Sequence, residues 1–108
     1  MIECEFLVQE NNFDVETERR LEQETKEVVK QVLNKDASVS WRTVLAGNGF
    51  SAGETGSKSS LILFVVPKET TDETRTELLT AVCSAWVETA GCHKNDLMIS
   101  AFDNNLLS

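Results

Sequence analysis

A strand–helix–strand pattern occurs twice in these 108 residues, and this repetition leaves few folds open to the chain. In the first unit, apolar and polar residues alternate over residues 2–8, which predicts a strand with one buried face. Asp14 then suits the N-cap of a helix that ends near Asn34 or Lys35. A second alternating stretch, residues 39–45, predicts the strand that closes the unit.

The second unit follows the same plan. It opens with residues 61–66, a continuous apolar and β-branched run that is typical of a central strand. Pro67 ends this strand, and Thr70 with Glu73 forms a capping box that predicts the start of a second helix. A glycine marks the end of that helix, and an alternating strand over residues 97–102 closes the unit.

Two such units define an architecture. Each crossover should be right-handed with parallel strands, and the units joined edge to edge give a four-stranded mixed sheet with both helices on one face. We therefore predict an α/β (α+β) fold with a tandem β-α-β repeat in one domain: residues 1–46 form the first unit, residues 47–59 a glycine-rich link, and residues 60–108 the second unit. The helices leave the other face of the apolar strand bare, which predicts an oligomer.

Composition and charge exclude several classes of function. A net charge of −8 leaves no basic patch for a nucleic-acid backbone, and no apolar run approaches the ~20 residues that a membrane span needs. The N-terminus alternates in polarity instead of resembling a signal peptide, so we expect a cytoplasmic protein. Three cysteines without paired spacing predict reduced thiols, and we expect no metal site and no cofactor.

Two stretches carry a resemblance to a known family. LAGNGFSAGE, with Phe50 near its centre, is similar to the glycine-rich hairpin that follows the first unit in the tautomerase superfamily. TELLTAVCSAWVETAGCHKNDLMISAFD resembles that superfamily's second helix and final strand. The resemblance implies the fold of macrophage migration inhibitory factor and of the cis-3-chloroacrylic acid dehalogenase group. It also implies a homotrimer in which the sheets face inward.

The resemblance further implies an active site at the start of the first strand. There the family uses the amine of an N-terminal proline as base or nucleophile, with arginines that hold a substrate carboxylate. This chain has Met1 at that place, and its sole proline is Pro67. The Met1 amine is therefore the candidate base that the resemblance leaves.

The other candidate residues follow from the same comparison. Lys68 stands where the dehalogenase-like group has an arginine, and Asp103 stands where that group has a catalytic carboxylate. Phe50 matches the hairpin aromatic. Arg42 and Arg75 are the further cations that could hold an anionic substrate. Met1 and Asp103 are thus candidate catalytic residues, and the remaining four are candidate substrate-binding residues.

Two functional hypotheses remain open. The first is a divergent tautomerase-superfamily protein with an altered active site, poor in proline-type tautomerase chemistry. The alternative is an active isomerase or a lyase or dehalogenase-like enzyme that acts on a small keto acid or carboxylate through the Met1 amine or another base. The expected partners are other copies of the chain in a homotrimer and a small carboxylate ligand, with neither nucleic acid nor membrane involved.

Overall fold

The computed structural model describes residues 1–9, 12–44, 51–52, 55–56 and 59–103. Within these ranges the chain forms strands and helices in the predicted order, with a short hairpin in the link. The elements are β1 (Ile2–Gln9), α1 (Val15–Leu33), β2 (Ala37–Val44), β3 (Ser51–Ala52), β4 (Thr55–Gly56), β5 (Ser60–Val66), α2 (Asp72–Ala90), the 3₁₀ turn Lys94–Asp96 and β6 (Leu97–Asp103).

The main sheet has four strands in the order β2-β1-β5-β6. β1 is parallel to β2, and β5 is parallel to β6, as expected within each β-α-β unit. The two units join where β1 pairs antiparallel with β5, with Cys4 opposite Phe64. The predicted four-stranded mixed sheet with two helices is confirmed. β3 and β4 form a separate two-stranded hairpin between the units.

Helix α1 begins where the sequence predicts. Asp14 is the N-cap, and its carboxylate accepts a hydrogen bond of 2.7 Å from the backbone N–H of Thr17. This hydrogen bonding holds the pKa of Asp14 below its ordinary value. The helix ends at Asn34, which adopts the left-handed conformation with φ of 56°.

Helix α2 begins one residue later than predicted. The N-cap is Thr71, whose hydroxyl accepts from the N–H of Thr74 at 3.1 Å, so the capping box proposed for Thr70 is wrong. The reason is a tight turn, because the N–H of Thr70 donates to the carbonyl of Pro67 at 3.0 Å. At the other end, Gly91 closes the helix with φ of 67°, a conformation that glycine adopts without strain.

The core lies between the sheet and the two helices. Trp86 of α2 is fully buried at its centre, and its ring meets the ring of Phe6 edge-on with centroids 5.0 Å apart. The indole N–H of Trp86 donates to the Thr25 hydroxyl at 3.2 Å, which in turn donates to the carbonyl of Leu21 at 2.7 Å. Thr25 can therefore be buried in α1, because its hydroxyl both accepts and donates a hydrogen bond.

Both helices of the described part of the chain lie on one face of the sheet, and the opposite face, here called the bare face, has no described helix against it. Its apolar half consists of β5 and β6 residues, and its polar half consists of β1 and β2 residues. Leu61, Leu63 and Val65 are half-buried there, whereas Met98 is 62% exposed. Of the helices in the described ranges, none is both long and apolar enough to cross a membrane.

Candidate functional site

The starts of β1 and β2 and the ends of β5 and β6 lie together at one end of the sheet, which is called this edge below. Since β1 is parallel to β2, their first residues are neighbours, and Ile2 pairs with Ala37. β1 is antiparallel to β5, so the last residues of β5 lie beside the first residues of β1, with Glu3 opposite Val65. β6 ends at the same edge. The topology therefore brings the start of β1 close to the segment that connects β5 to α2.

A concave site of 390 Å³ lies at this edge. It is lined by residues from the starts of β1 and β2 and from the end of β5 with its following turn, which are Met1, Ile2, Lys35, Val65, Pro67, Lys68 and Glu69. The structure thus brings together Met1 and Lys68, two of the residues predicted from the sequence. Lys35 and Glu69 were missed. The parallel pairing of β1 and β2 is the signal that could have found Lys35, since it places the residues before β2 beside Met1.

The turn after β5 fixes the positions of Lys68 and Glu69. Both occupy the centre of the Pro67–Thr70 turn, which the 3.0 Å hydrogen bond between its ends closes. The Arg75 guanidinium braces this turn, because its Nε donates to the carbonyl of Thr70 at 3.3 Å. The turn is therefore held both by its own hydrogen bond and by α2.

Arg75 and Asp103 lie together behind this turn. A terminal nitrogen of Arg75 lies 3.7 Å from Oδ2 of Asp103, and both side chains are about one-quarter exposed. The pair connects the first turn of α2 to the end of β6. Neither residue is among those that line the concave site. Both predicted site residues are therefore engaged with each other.

Lys35 and Lys68, the two lysines of the concave site, differ from Arg75 in their ion pairing. Neither Lys35 nor Lys68 forms an ion pair with a residue in the described part of the chain. The neighbouring Lys30 does, since its Nζ lies 3.7 Å from Oδ1 of Asp36. In a protein with a net charge of −8, two ammonium groups that lack an ion pair among the described residues favour an anionic ligand at one concave site. A carboxylate is a ligand of that kind.

Arg42, another predicted residue, does not lie at this end of the sheet. Arg42 lies on the bare face of the sheet, where its Nε is 2.8 Å from Oε1 of Glu5. It is five residues along β2 from Ala37, a separation of roughly 16 Å at the usual rise of a strand. Within one chain, Arg42 is thus remote from Met1. Phe50 lies outside the described residues.

A second concave surface, of 470 Å³, lies at the end of α2 beside Cys83, Cys92 and His93. The Cys92 thiol donates to the carbonyl of Trp86 at 3.6 Å, and burial raises its pKa. His93 accepts from the N–H of Asn95 through Nδ1 and so caps the 3₁₀ turn. A raised pKa disfavours the thiolate, so Cys92 is a poor nucleophile. Within the described ranges, no three metal-binding side chains come together.

Comparison with known proteins establishes the fold. Neither a protein-family model nor a curated protein matches the sequence. The structure of Pt0534 inactivated by 2-oxo-3-pentynoate shares 17% identity with a TM-score of 0.85, covering 94% of this chain and 84% of that one. N1, a member of the cis-3-chloroacrylic acid dehalogenase family, shares 13% identity with a TM-score of 0.84, covering 94% and 73%.

An assembled structure belongs to the same group. The Q0 fused 4-OT symmetric trimer shares 16% identity with a TM-score of 0.83, covering 94% of this chain and 84% of that one. The match spans nearly the whole chain in each case. The chain therefore has the tautomerase-superfamily fold that its sequence predicts.

Proposed function

We propose that this chain is a divergent tautomerase-superfamily protein. It binds a small carboxylate in the concave site at the end of the sheet where β1 begins, and it isomerises keto acids poorly. The observation that carries the proposal is the concave site itself, which Met1, Lys35 and Lys68 line together. Neither lysine forms an ion pair with a described residue, and no proline begins the first strand. The lysines supply the attraction for an anion. The residue that would act as the family's base is replaced.

Three features of this site predict slow chemistry. Met1 is 82% exposed, and its amine sits on an unbranched flexible residue instead of a closed ring, so the base is not held in a reactive position. Lys68 gives a point charge where an arginine would grip a carboxylate through two parallel hydrogen bonds. Asp103, the candidate carboxylate, already pairs with Arg75. A misplaced base and a looser grip both lower the rate.

The alternative is an active isomerase or a lyase or dehalogenase-like enzyme. The presence of Met1 in the concave site, beside two cationic side chains, favours this candidate, because the amine lies where a bound carboxylate would also lie. Phe50 and Arg42 remain proposed substrate-binding residues under either candidate. The efficiency of turnover separates the two candidates.

We also propose that the protein is a homotrimer that assembles through the bare face of its sheet. Two observations support this assembly. Leu61, Leu63 and Val65 present a continuous apolar surface on the side without helices, and a fused 4-OT of the same fold is a symmetric trimer. Burial of this surface between copies would remove it from water.

Carboxylate binding is tested by calorimetric titration with phenylacetate, a carboxylate that has no keto group. Replacement of Lys35 or Lys68 by alanine should weaken binding about tenfold or more, since charge-assisted contacts contribute roughly 1.5–3 kcal/mol. Lys94→Ala removes the same charge at the other end of α2 and should bind normally. Equal affinity in all four proteins would exclude this site as the place of binding.

Turnover is tested with phenylpyruvate. The unmodified protein should isomerise it with a kcat/KM below ~10⁴ M⁻¹s⁻¹, the lower end of typical enzymes. A Met1→Pro variant, expressed behind an initiator methionine that is removed, should be faster because it restores the ring amine while keeping Ile2 and its 2.8 Å hydrogen bond to the Asp36 carbonyl. Unmodified protein above that limit would instead establish the active-enzyme candidate.

A further inference from the structure

We infer that the Glu69 carboxylate is the proton-accepting catalytic group of the concave site, an inference that rests on the proposed function. Glu3, Asp36, Glu69 and Asp103 are the carboxylates of described residues near this end of the sheet, and of these four Glu69 is the one that lines the concave site. Asp36 pairs with Lys30 and Asp103 pairs with Arg75, each at 3.7 Å. Glu69 lines the concave site and forms no ion pair with a described residue. Among the described residues that line the site, Glu69 is therefore the one carboxylate that a ligand bound there could contact.

The turn gives Glu69 a defined place relative to the ligand. Lys68 and Glu69 are consecutive in the turn that the Pro67–Thr70 hydrogen bond closes, and both line the same concave site. One ligand can therefore contact both a cation and an anion. A keto acid fits this arrangement, because its carboxylate pairs with the ammonium groups and its acidic C–H can face Glu69.

The reaction that this arrangement supports is a keto–enol isomerisation. Glu69 accepts the proton from C3 of a 2-oxo acid, and the electron pair of that C–H bond forms the C2=C3 double bond. The π electrons of the ketone move to its oxygen, where Lys35 and Lys68 stabilise the developing negative charge. The oxygen then takes the proton back from the Glu69 carboxylic acid, so no co-reactant is consumed.

Arg75 acts on this site as a positioning residue. Its hydrogen bond to the Thr70 carbonyl holds the end of the turn that carries Glu69, while its ion pair with Asp103 holds the guanidinium. The Arg75–Asp103 pair thus sets the geometry of the turn without contact to the ligand.

The test compares Glu69→Gln with Glu73→Gln, a matched control that removes the same charge from the first turn of α2. Glu69→Gln should slow phenylpyruvate isomerisation about a hundredfold, the usual contribution of a general base. It should also bind phenylacetate more tightly, because a negative charge leaves an anion site. Glu69→Asp should retain part of the rate. Loss of structure alone would weaken binding and rate together, so these opposite changes identify a catalytic role.

The pH–rate profile gives an independent readout of which group is the base. The titratable groups that line the site are Met1, Lys35, Lys68 and Glu69, and of these the Met1 amine and the Glu69 carboxylate are the candidate bases. A carboxylate base and an α-amine base lose their protons in different pH ranges, so the rate rises at lower pH with the first than with the second. Full activity in Glu69→Gln with an unchanged pH–rate profile would overturn the inference and leave carboxylate binding intact. Absence of any turnover by the unmodified protein would overturn it as well. Absence of phenylacetate binding would instead refute the proposed function.

Discussion

Among single residues, Cys4 shows how burial decides chemistry. Its side chain points from β1 into the core and is 3% exposed. Burial raises the pKa of this thiol far above its ordinary value, and the negative charge of Glu5 raises it further. Cys4 is thus held as a neutral thiol and contributes to packing, not to nucleophilic chemistry.

The pKa of Cys4 predicts a loss of stability in alkali. Above pH ~8.5 the thiol of the unfolded chain loses its proton while the folded chain retains it, so the unfolded state binds fewer protons. The free energy of unfolding should therefore fall by about 1.4 kcal/mol per pH unit from this group. Urea titrations at pH 8 and pH 10 should show this decrease in the unmodified protein and a smaller one in Cys4→Val. Identical decreases would show that Cys4 does not cause it.

The candidate site was only partly predictable from the sequence at this scale. Met1 and Lys68 were found because a family resemblance points to their positions. Lys35 and Glu69 carry no local signature, since an isolated charge next to a turn is ordinary in a sequence. Only the pairing of β1 with β2 and the closure of the turn place them in one site. Likewise, the ion pair between Arg75 and Asp103 depends on elements distant in sequence.

Among the secondary-structure elements, the junction between β5 and α2 matters most for the site. The Pro67–Thr70 turn and the Thr71 N-cap follow one another without an intervening residue. The Thr71 hydroxyl accepts from the N–H of Thr74 and also contacts the Thr74 hydroxyl at 2.9 Å. The start of the helix and the position of Glu69 are therefore determined together.

The two adjacent threonines provide a matched test of this cap. Thr71→Ala should lower the free energy of unfolding by about 1 kcal/mol, the usual cost of losing an N-cap side chain. Thr70→Ala should change it by less than about 0.5 kcal/mol, because Thr70 contributes its backbone groups to the turn and the alanine keeps them. Urea denaturation measures both values. The reverse order would restore Thr70 as the cap.

The elements themselves were predictable because each has a strong periodic pattern. Alternation of apolar and polar residues predicted β1 and β6. The helices end at Asn34 and Gly91, which are of the residue types that most readily adopt the left-handed conformation of a helix C-cap. Boundaries depend on more distant contacts. β2 starts at Ala37, two residues before its predicted start, because pairing with Ile2 of β1 extends the strand beyond its own alternation. The Thr70 error has a similar origin, since two neighbouring threonines look alike until the turn selects one.

In the whole molecule, one face of the sheet is covered by the two described helices and the other is not. The helices bury one face through residues such as Phe64 and Trp86, and the alternation of β5 sends Leu61, Leu63 and Val65 to the other. An apolar surface of this kind is costly in water. The alternation that buries one face of β5 therefore leaves on the other face the apolar surface on which the proposed assembly rests.

The proposed trimer predicts that a charge on this face gives a folded monomer. In sedimentation equilibrium at micromolar concentration, the unmodified protein should have about three times its chain mass of 12.0 kDa. Leu63→Glu should reduce this to a single chain, because an unpaired carboxylate buried between copies costs several kcal/mol. Its circular dichroism and tryptophan fluorescence should stay native-like, since the Leu63 side chain lies outside the core. Val15→Glu, a similar change at a side chain that is 82% exposed at the start of α1, should leave the assembly unchanged. A monomeric unmodified protein, or a trimer that survives Leu63→Glu, would exclude assembly through this face.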